Sequence, residues 1–527
     1  RDTTQLDAAL GVFALGDSIL NRLREVRLSF AEQKELLRDA RRLTEWAMQA
    51  EIARFGIQTE RTFARSEQTR AFNLYGKFRE DAAVRFAGVP DSITAKYRSL
   101  QHEIARAETL LKETDPADPG YFTTQGRLAA QRQNLALVKS QLVKFEQYYK
   151  FRFGTPTASV RDVQQNMLRY GEVMAHYFVG DSAIFMFTLS KDRYETRVIP
   201  NDFQLDAKVQ AMWRGITVPY STDRYDEGLW VSAQDDYEKN ALELYRRLIL
   251  PLQLQSEDSI LIVVPDDILW MLPFDALLTQ EPEEPGLFST YPYLLNQHII
   301  SLAYSATLLR EAASRPRAQT KSLLACAPFD QPGPKNSPKT KRNLGYLPES
   351  AWEVRAAKRL LNGEILLGQA ATKVSFLSKI SEYRTLLFST HGQAGDDGFI
   401  AFYPDMDRPA EQSLLYIHEV YNLQINADLV IFSACETALG KSEPGEGLVS
   451  MGRAFTYAGA LGLVTTLWSV NDHSSSRIMV AMLGYVKQGV SAQQALCYAK
   501  RDWIKSPSSE VGHPWFWAAA TGLGVLR

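Results

Sequence analysis

Apolar positions recur along this chain with two different periods, and the change between them divides it. In the first 85 residues they fall three and four apart. Leu15, Ile19, Leu20 and Leu23 share one helical face, Phe30, Leu36 and Leu37 the next, and Leu43, Trp46 and Ala47 another. This spacing predicts three or four amphipathic helices over 5–85. Two longer helices are predicted over 92–114 and 124–152, split by the breaker run DPADPG. Leu100, Ile104, Leu110 and Leu111 would face Leu128, Leu135, Val138, Leu142 and Phe145 in an antiparallel hairpin. The hairpin reads as a solvated strut, with a docking arm for substrate as the alternative.

Near residue 160 the period shortens to two. Val173–Phe178, Ser182–Leu189 and Glu195–Ile199 read as strands of a hairpin sheet with Gly180 and Asp181 at a turn, followed by a helix near Tyr237–Ile249 and a buried strand Ser259–Val264. Residues 329–350 are rich in Pro, Lys and Asn without apolar period, and read as a loop. Around it the pattern predicts a strand Lys321–Ala327, a helix Ser350–Leu361, and a strand and helix near 365–380. Strands ending at Ser389 and Ser433 come next, then a helix striped by Leu448, Met451, Phe455 and Ala458. A strand Leu461–Leu467 and helices Ser475–Gln488 and Ser491–Ile504 complete the series. The alternation implies an α/β fold, with a mostly parallel sheet covered by helices on both faces, preceded by an all-α region. The expected divisions are 1–88, 89–158, 159–318 and 319–527.

Candidate chemistry collects at the ends of two of these strands. Thr385–Ser389 and Leu429–Ser433 are apolar runs that close in small residues, and His391 and Cys435 follow, 44 residues apart. In an open α/β sheet, ligands gather outside the carboxyl ends of the strands. A thiol becomes a thiolate nucleophile when a base stands beside it, and an imidazole supplies one. The His-then-Cys order and spacing match the pattern of a caspase-like His about 50 residues upstream of its Cys. Gly392, without a Cβ, lets its backbone N–H approach a developing oxyanion, and the Cys435 N–H would be the second donor. Taken singly, each residue has a plain reading: a Cys ending a strand is a small hydrophobe, and a His before Gly a hydrogen-bonded surface group. The pairing is what favours chemistry.

The surrounding motifs carry a resemblance. STHG, then SACETALG, GEGLVSMGRAFTYAGA, LVTTLWSVND and HPWFWAAATGLG, with VVPDDILWMLPFDALL and LLGQAATKVSFL before them, resemble a CHAT domain, a relative of caspases and separase. The resemblance implies a caspase-like fold: a degenerate lobe without chemistry over 159–318 and an active peptidase lobe over 319–527. It implies a cysteine endopeptidase with a His391–Cys435 dyad acting on protein substrates. Tetratricopeptide-like repeats commonly precede such domains. Helix pairs over 1–88 are compatible with a repeat of about 34 residues, although the W-x-x-L-G-x-x-Y signature is absent. Those helices would pad the peptidase or carry a regulatory protein partner. The family is associated with programmed death and antiviral defence in bacteria.

Asp472, in LWSVND, is the candidate for specificity. Asn471, Asp472 and Ser474 all suit the N-cap of the next helix. The resemblance to separase, which prefers a basic P1 residue, makes Asp472 the floor of an S1 pocket that pairs with Arg or Lys. An acidic S1 would turn Lys335, Lys339, Lys341 and Arg342 into a candidate self-cleavage loop. Asp396 and Asp397 belong to an Asp-Asp-Gly turn and read as solvated.

Composition bounds the remainder. The 527 residues are 45% hydrophobic and 23% charged, with a net charge of −2, so nothing argues for direct nucleic-acid or membrane binding. No apolar run reaches the roughly 18 residues of a spanning helix. The three cysteines, Cys326, Cys435 and Cys497, have no metal spacing and make no disulfide framework, which fits a reducing, cytoplasmic setting. The start at Arg1, inside a helical pattern, points to a fragment or processed form with more chain upstream. ALGKS (438–442) resembles a P-loop end, but Cys435 stands where the first Gly is required. His473 and His513 lack metal-spaced partners, and HExxH and GxSxG are absent, so no metal and no cofactor is expected. The alternative from another class is a scaffold that binds partners without turnover.

Overall fold

A computed structural model describes residues 3–23, 30–70, 90–142, 144–145, 157–220, 226–314, 320–331, 344–393, 398–404, 413–433, 442–443, 447–448, 451–506 and 512–526. Three helices open it: α1 (Thr3–Leu23), α2 (Phe30–Phe55) and α3 (Glu60–Thr69). A hairpin follows, α4 (Asp91–Glu113) and α5 (Pro119–Leu142). The break between these two is shorter than DPADPG suggests, because Pro119 starts the second helix, where a missing N–H costs nothing. Tyr97 and Leu100 of α4 pack on Val138 and Leu142 of α5, in the expected antiparallel sense.

The sheet region runs from β1 (Glu172–Val179), β2 (Ala183–Leu189) and β3 (Tyr194–Pro200) through α6 (Leu205–Thr217) and α7 (Glu227–Leu244) to β4 (Ile260–Val264), β5 (Ile299–Leu302) and α8 (Ala306–Ala313). It continues with β6 (Lys321–Ala327), α9 (Ser350–Leu361), β7 (Glu364–Leu367), α10 (Lys373–Leu377) and β8 (Tyr383–Phe388). A small arm, β9 (Gly392–Gln393), β10 (Phe399–Ala401) and β11 (Leu414–Tyr416), precedes β12 (Leu429–Phe432). Then come a short pair, β13 (Ser442–Glu443) and β14 (Gly447–Leu448), α11 (Met451–Ala458), β15 (Gly462–Thr466), α12 (Asp472–Lys487), α13 (Ala492–Ile504) and β16 (Ala520–Gly524).

Among the described residues, eleven strands form one sheet in the order β3-β2-β1-β4-β5-β16-β15-β12-β8-β6-β7. β1, β4 and β5 are mutually parallel, and so are β15, β12, β8, β6 and β7. The seam is β16, parallel to β5 on one side and antiparallel to β15 on the other. The two parallel sets therefore run in opposite directions, and their carboxyl ends lie at opposite edges of the sheet. The expected mostly parallel sheet covered by helices is what forms.

The N-terminal helices are fastened to the first set. Alternate β1 residues Met174, His176 and Phe178 face Met48 of α2 and Phe63 of α3, while Val173, Ala175 and Tyr177 face the cluster under α6 and α7. Glu45 accepts from the backbone N–H groups of Asp181 (2.8 Å), Ser182 (3.0 Å) and Ala183 (3.1 Å), closing the β1–β2 turn. Glu67 accepts from Ala306 N and Thr307 N, capping α8 from outside. Arg41 pairs with Asp266 at 2.7 Å, just past β4. Because this contact is made with polar side chains, the expected apolar stripe is only partly used: Ala47 and Met48 are buried, whereas Leu15, Ile19 and Trp46 stay exposed. The hairpin instead touches the second set, through Thr109 Oγ1 and His418 Nε2 at 2.8 Å.

Candidate active site

β8 and β12 are adjacent, parallel and paired Thr385↔Leu429 through Phe388↔Phe432. Four β-branched or bulky residues in each strand make this pairing a dry core ladder, sealed by Phe388 stacked on Phe432 at 5.3 Å with Phe455 of α11 edge-on to both. Its register offset is 44 residues, the same as the separation of His391 and Cys435, so each follows its strand end by an equal length of chain. Cys435 itself lies outside the described residues, as do Asp396, Asp397, the P-loop-like residues 438–441 and the loop residues Lys335, Lys339, Lys341 and Arg342.

His391 is held from several sides. Its backbone carbonyl accepts from Ala401 N at 2.9 Å, the Thr390 hydroxyl donates to Ala401 O, and Gly392 pairs with Ile400 in the small arm. Its Nε2 lies 2.7 Å from Gly345 O, and the Phe329 ring meets the imidazole edge-on at 4.9 Å. A carbonyl only accepts, so this bond requires the proton on Nε2, and the neutral ring keeps its lone pair on Nδ1. The imidazole is thus oriented by a backbone carbonyl, and among the described residues no side chain hydrogen-bonds to it.

Asp472 is the first residue of α12, and the cap belongs to its neighbour: Asn471 Oδ1 accepts from Ser474 N at 3.1 Å. The Asp472 carboxylate turns elsewhere and accepts from Glu349 N at 2.9 Å, immediately before α9. Burial pushes its pKa up and the Glu349 charge adds to that, while the hydrogen bond from Glu349 N and the charges of His391 and His473 pull it down, which places it within the field of the imidazole. Glu349 in turn lies 3.4 Å from Arg477 and 3.5 Å from His473. A carboxylate in the field of His391 is compatible with both a tether and a pocket wall.

One group at this edge was missed in the sequence. Glu353, in the first turn of α9, is fully buried; the Ser389 hydroxyl at the end of β8 donates to it, and the Ser433 hydroxyl at the end of β12 lies near enough to pull its pKa down. The repeated F-S-x-His and F-S-x-Cys at the two strand ends was a visible signal for such a shared partner.

Other candidates serve the core. Cys326 and Cys497 are buried, and burial pushes the Cys497 thiol up to about 12 and Cys326 higher still, far from thiolate character. His513 is buried, accepts from Trp515 N, and is held down to about 3 by desolvation. Among the described residues no group of three His, Cys, Asp or Glu side chains is placed to hold a metal ion, and no helix is long and apolar enough to cross a membrane.

Comparison with known proteins fits this architecture. Residues 238–525 match the CHAT domain family model. Tetratricopeptide repeat protein 28 of Mus musculus is 24% identical over 324 residues, and its Homo sapiens counterpart is 24% identical over 339. These cover 53% and 55% of this chain but 13% of each relative, so the chain spans only a small part of their length. Among solved structures, the Saccharomyces cerevisiae separase–securin complex aligns at 10% identity and a TM-score of 0.43, over 94% of this chain and 44% of that one. The Arg-specific cysteine proteinase gingipain R aligns at 10% identity and a TM-score of 0.35, over 61% and 74%. The family model spans more than half of the residues, and the chain belongs to the CHAT domain family.

Proposed function

We propose that this chain is a cysteine endopeptidase in which His391 and Cys435 form the catalytic dyad. The observation that carries the reading is the register of β8 and β12, whose 44-residue offset equals the separation of the two residues. Nδ1 of His391 takes the Cys435 proton, and the thiolate attacks a peptide carbonyl. The backbone N–H groups of Gly392 and Cys435 hold the oxyanion. The imidazolium then protonates the leaving amine, and the ring activates water to hydrolyse the thioester. Asp472 receives a basic P1 side chain, since its carboxylate lies within the field of His391 and, among the described residues, accepts from a single backbone N–H. Cleavage after Lys335, Lys339, Lys341 or Arg342 is the self-processing that follows from such a pocket. The N-terminal helices, tied to the sheet through Glu45, Glu67 and Arg41, provide the surface for a regulatory protein partner.

The test is covalent labelling by an Arg-directed acyloxymethyl ketone, read by intact mass. Wild type should gain one adduct, Cys435→Ala none, and Asp472→Ala a sharply slower one. Labelling of Cys435→Ala would remove the dyad, and unchanged labelling of Asp472→Ala would return Asp472 to a tether of α9. A second reading, a binding scaffold, draws on the exposed Leu15, Ile19 and Trp46 and on relatives named for repeats. A wild type that never labels, even with cell extract added, would favour it.

A further inference from the structure

Glu353 poses a question of cost. A carboxyl with no exposure is expensive unless it is neutral or paired, and among the described residues no cation pairs with this one. Burial pushes it up to about 8, Asp472 adds to the shift, and the hydroxyls of Ser389 and Ser433 oppose it. At neutral pH it is therefore protonated. A neutral carboxyl carries both a donor and an acceptor, which suits it to join two hydroxyls without burying a charge. Ser389 Oγ donates to Oε2, and Ser433 Oγ, close enough to favour the ionised carboxyl, lies 3.1 Å from Ser475 Oγ on α12. Glu353 Oε1 has no strict hydrogen-bond partner among the described residues.

The two serines hold equivalent places. Each is the first residue beyond its strand, and each stands two residues before a member of the dyad. The β8–β12 ladder ends with Ser433 N donating to Phe388 O at 2.9 Å. Beyond that bond, His391 is drawn toward β10 by Ala401 N. Where backbone pairing stops, the Glu353 carboxyl holds Ser389 at the end of β8 and lies within reach of Ser433 at the end of β12.

We propose that Glu353 is a positioning residue, a clamp across the ends of β8 and β12 that sets the separation of the His391 imidazole from the Cys435 thiol. The inference rests on the peptidase reading above. A mere space-filler would be replaceable by any side chain that keeps the fold. A clamp needs a neutral group with a donor and an acceptor at this length, and its loss is felt in the transition state rather than in substrate docking.

The experiment measures kcat and KM on an Arg-P1 fluorogenic peptide for the full chain, alongside ketone labelling and thermal melts. Glu353→Ala should lower kcat by about 100-fold and leave KM within about threefold, the cost of a dyad misplaced by roughly an ångström. Glu353→Gln, which keeps length, donor and acceptor, should recover most of the rate. If Glu353→Ala does not fold, the Ser389→Ala/Ser433→Ala double variant removes the clamp's other ends and should show the same kcat loss. A folded Glu353→Ala or double-serine variant with wild-type kcat overturns the clamp, and so does a Gln variant as impaired as the Ala one. A wild type that neither labels nor turns over overturns the peptidase reading and the clamp together. An active wild type indifferent to Glu353 sinks the clamp alone.

Discussion

The two halves of the sheet each hold a histidine among polar partners, and they make opposite use of it. In the first half, His176 on β1 has Ser66 Oγ 2.8 Å from Nε2 and Glu67 Oε1 3.3 Å from Nδ1, the residue types of a hydrolytic triad. It is fully buried, with Phe63 and Phe187 against its ring. In the second half, His391 stands past a strand end, partly exposed, with one nitrogen committed to a backbone carbonyl and the other free of any bond to a described residue. The composition of a cluster thus says little; access says more. Opposite strand directions put the carboxyl ends of the two halves at different edges, and the N-terminal helices occupy the first of these. There Glu45, Glu67 and Arg41 spend their hydrogen bonds on turns and caps that a ligand would otherwise meet.

The sharpest way to break this contrast is to remove each histidine in turn. His391→Ala should cost about 10⁴-fold or more in turnover with an unchanged melting temperature, measured by progress curves and calorimetry. His176→Ala should leave the labelling rate per folded molecule intact while costing roughly 3 kcal/mol of stability, because Ser66 and Glu67 lose a buried partner. The reverse pattern would make the buried cluster the site.

Acid should sharpen the same contrast by a smaller amount. Desolvation, with the Arg70 charge adding, holds His176 well below 6.5, and desolvation holds His513 at about 3. Below pH 6.5 the unfolded chain binds protons there that the folded chain does not. Stability is then complete above that pH and falls as pH drops through it, by about 1.4 kcal/mol per pH unit per group. Urea midpoints at pH 7.5 and 5.5 should differ accordingly, and less so in His176→Gln.

The smallest effect separates neighbours on α12. Asn471→Ala removes the cap and should cost about 1 kcal/mol without slowing ketone labelling. Slower labelling in that variant would mean that the helix end, rather than Asp472, shapes the pocket.

Much of this edge was legible in the chain. Lys321–Ala327 and Ser350–Leu361 form where the apolar pattern puts them, the helix stopping at Asn362 in a left-handed conformation. β8 and β12 were legible from their composition. β16 was not: ATGLG has little strand character, and it becomes a strand because β5 and β15 flank it. Its glycines suit a crowded seam, for a Cβ on Gly522 would lie 2.5 Å from Leu526. Glu353 was hidden because a Glu in an amphipathic helix reads as solvated, and only the neighbouring strand ends show what encloses it. Asp472 was recognised as a polar residue at a helix start, but sequence could not reveal that Asn471 takes the cap and frees it.

The seam strand has a consequence for synthesis. β16 begins 218 residues after β5 ends, yet it lies between β5 and β15. At elongation rates of about 5–20 residues per second, the β5 edge waits roughly ten to forty seconds for its partner, and the later β15 edge roughly three to eleven. During that interval the ribosome carries two open templates for strand pairing, which chaperones must shield from other nascent chains. The halves zip together only when residues 520–524 emerge, so production of a joined molecule is timed by β16.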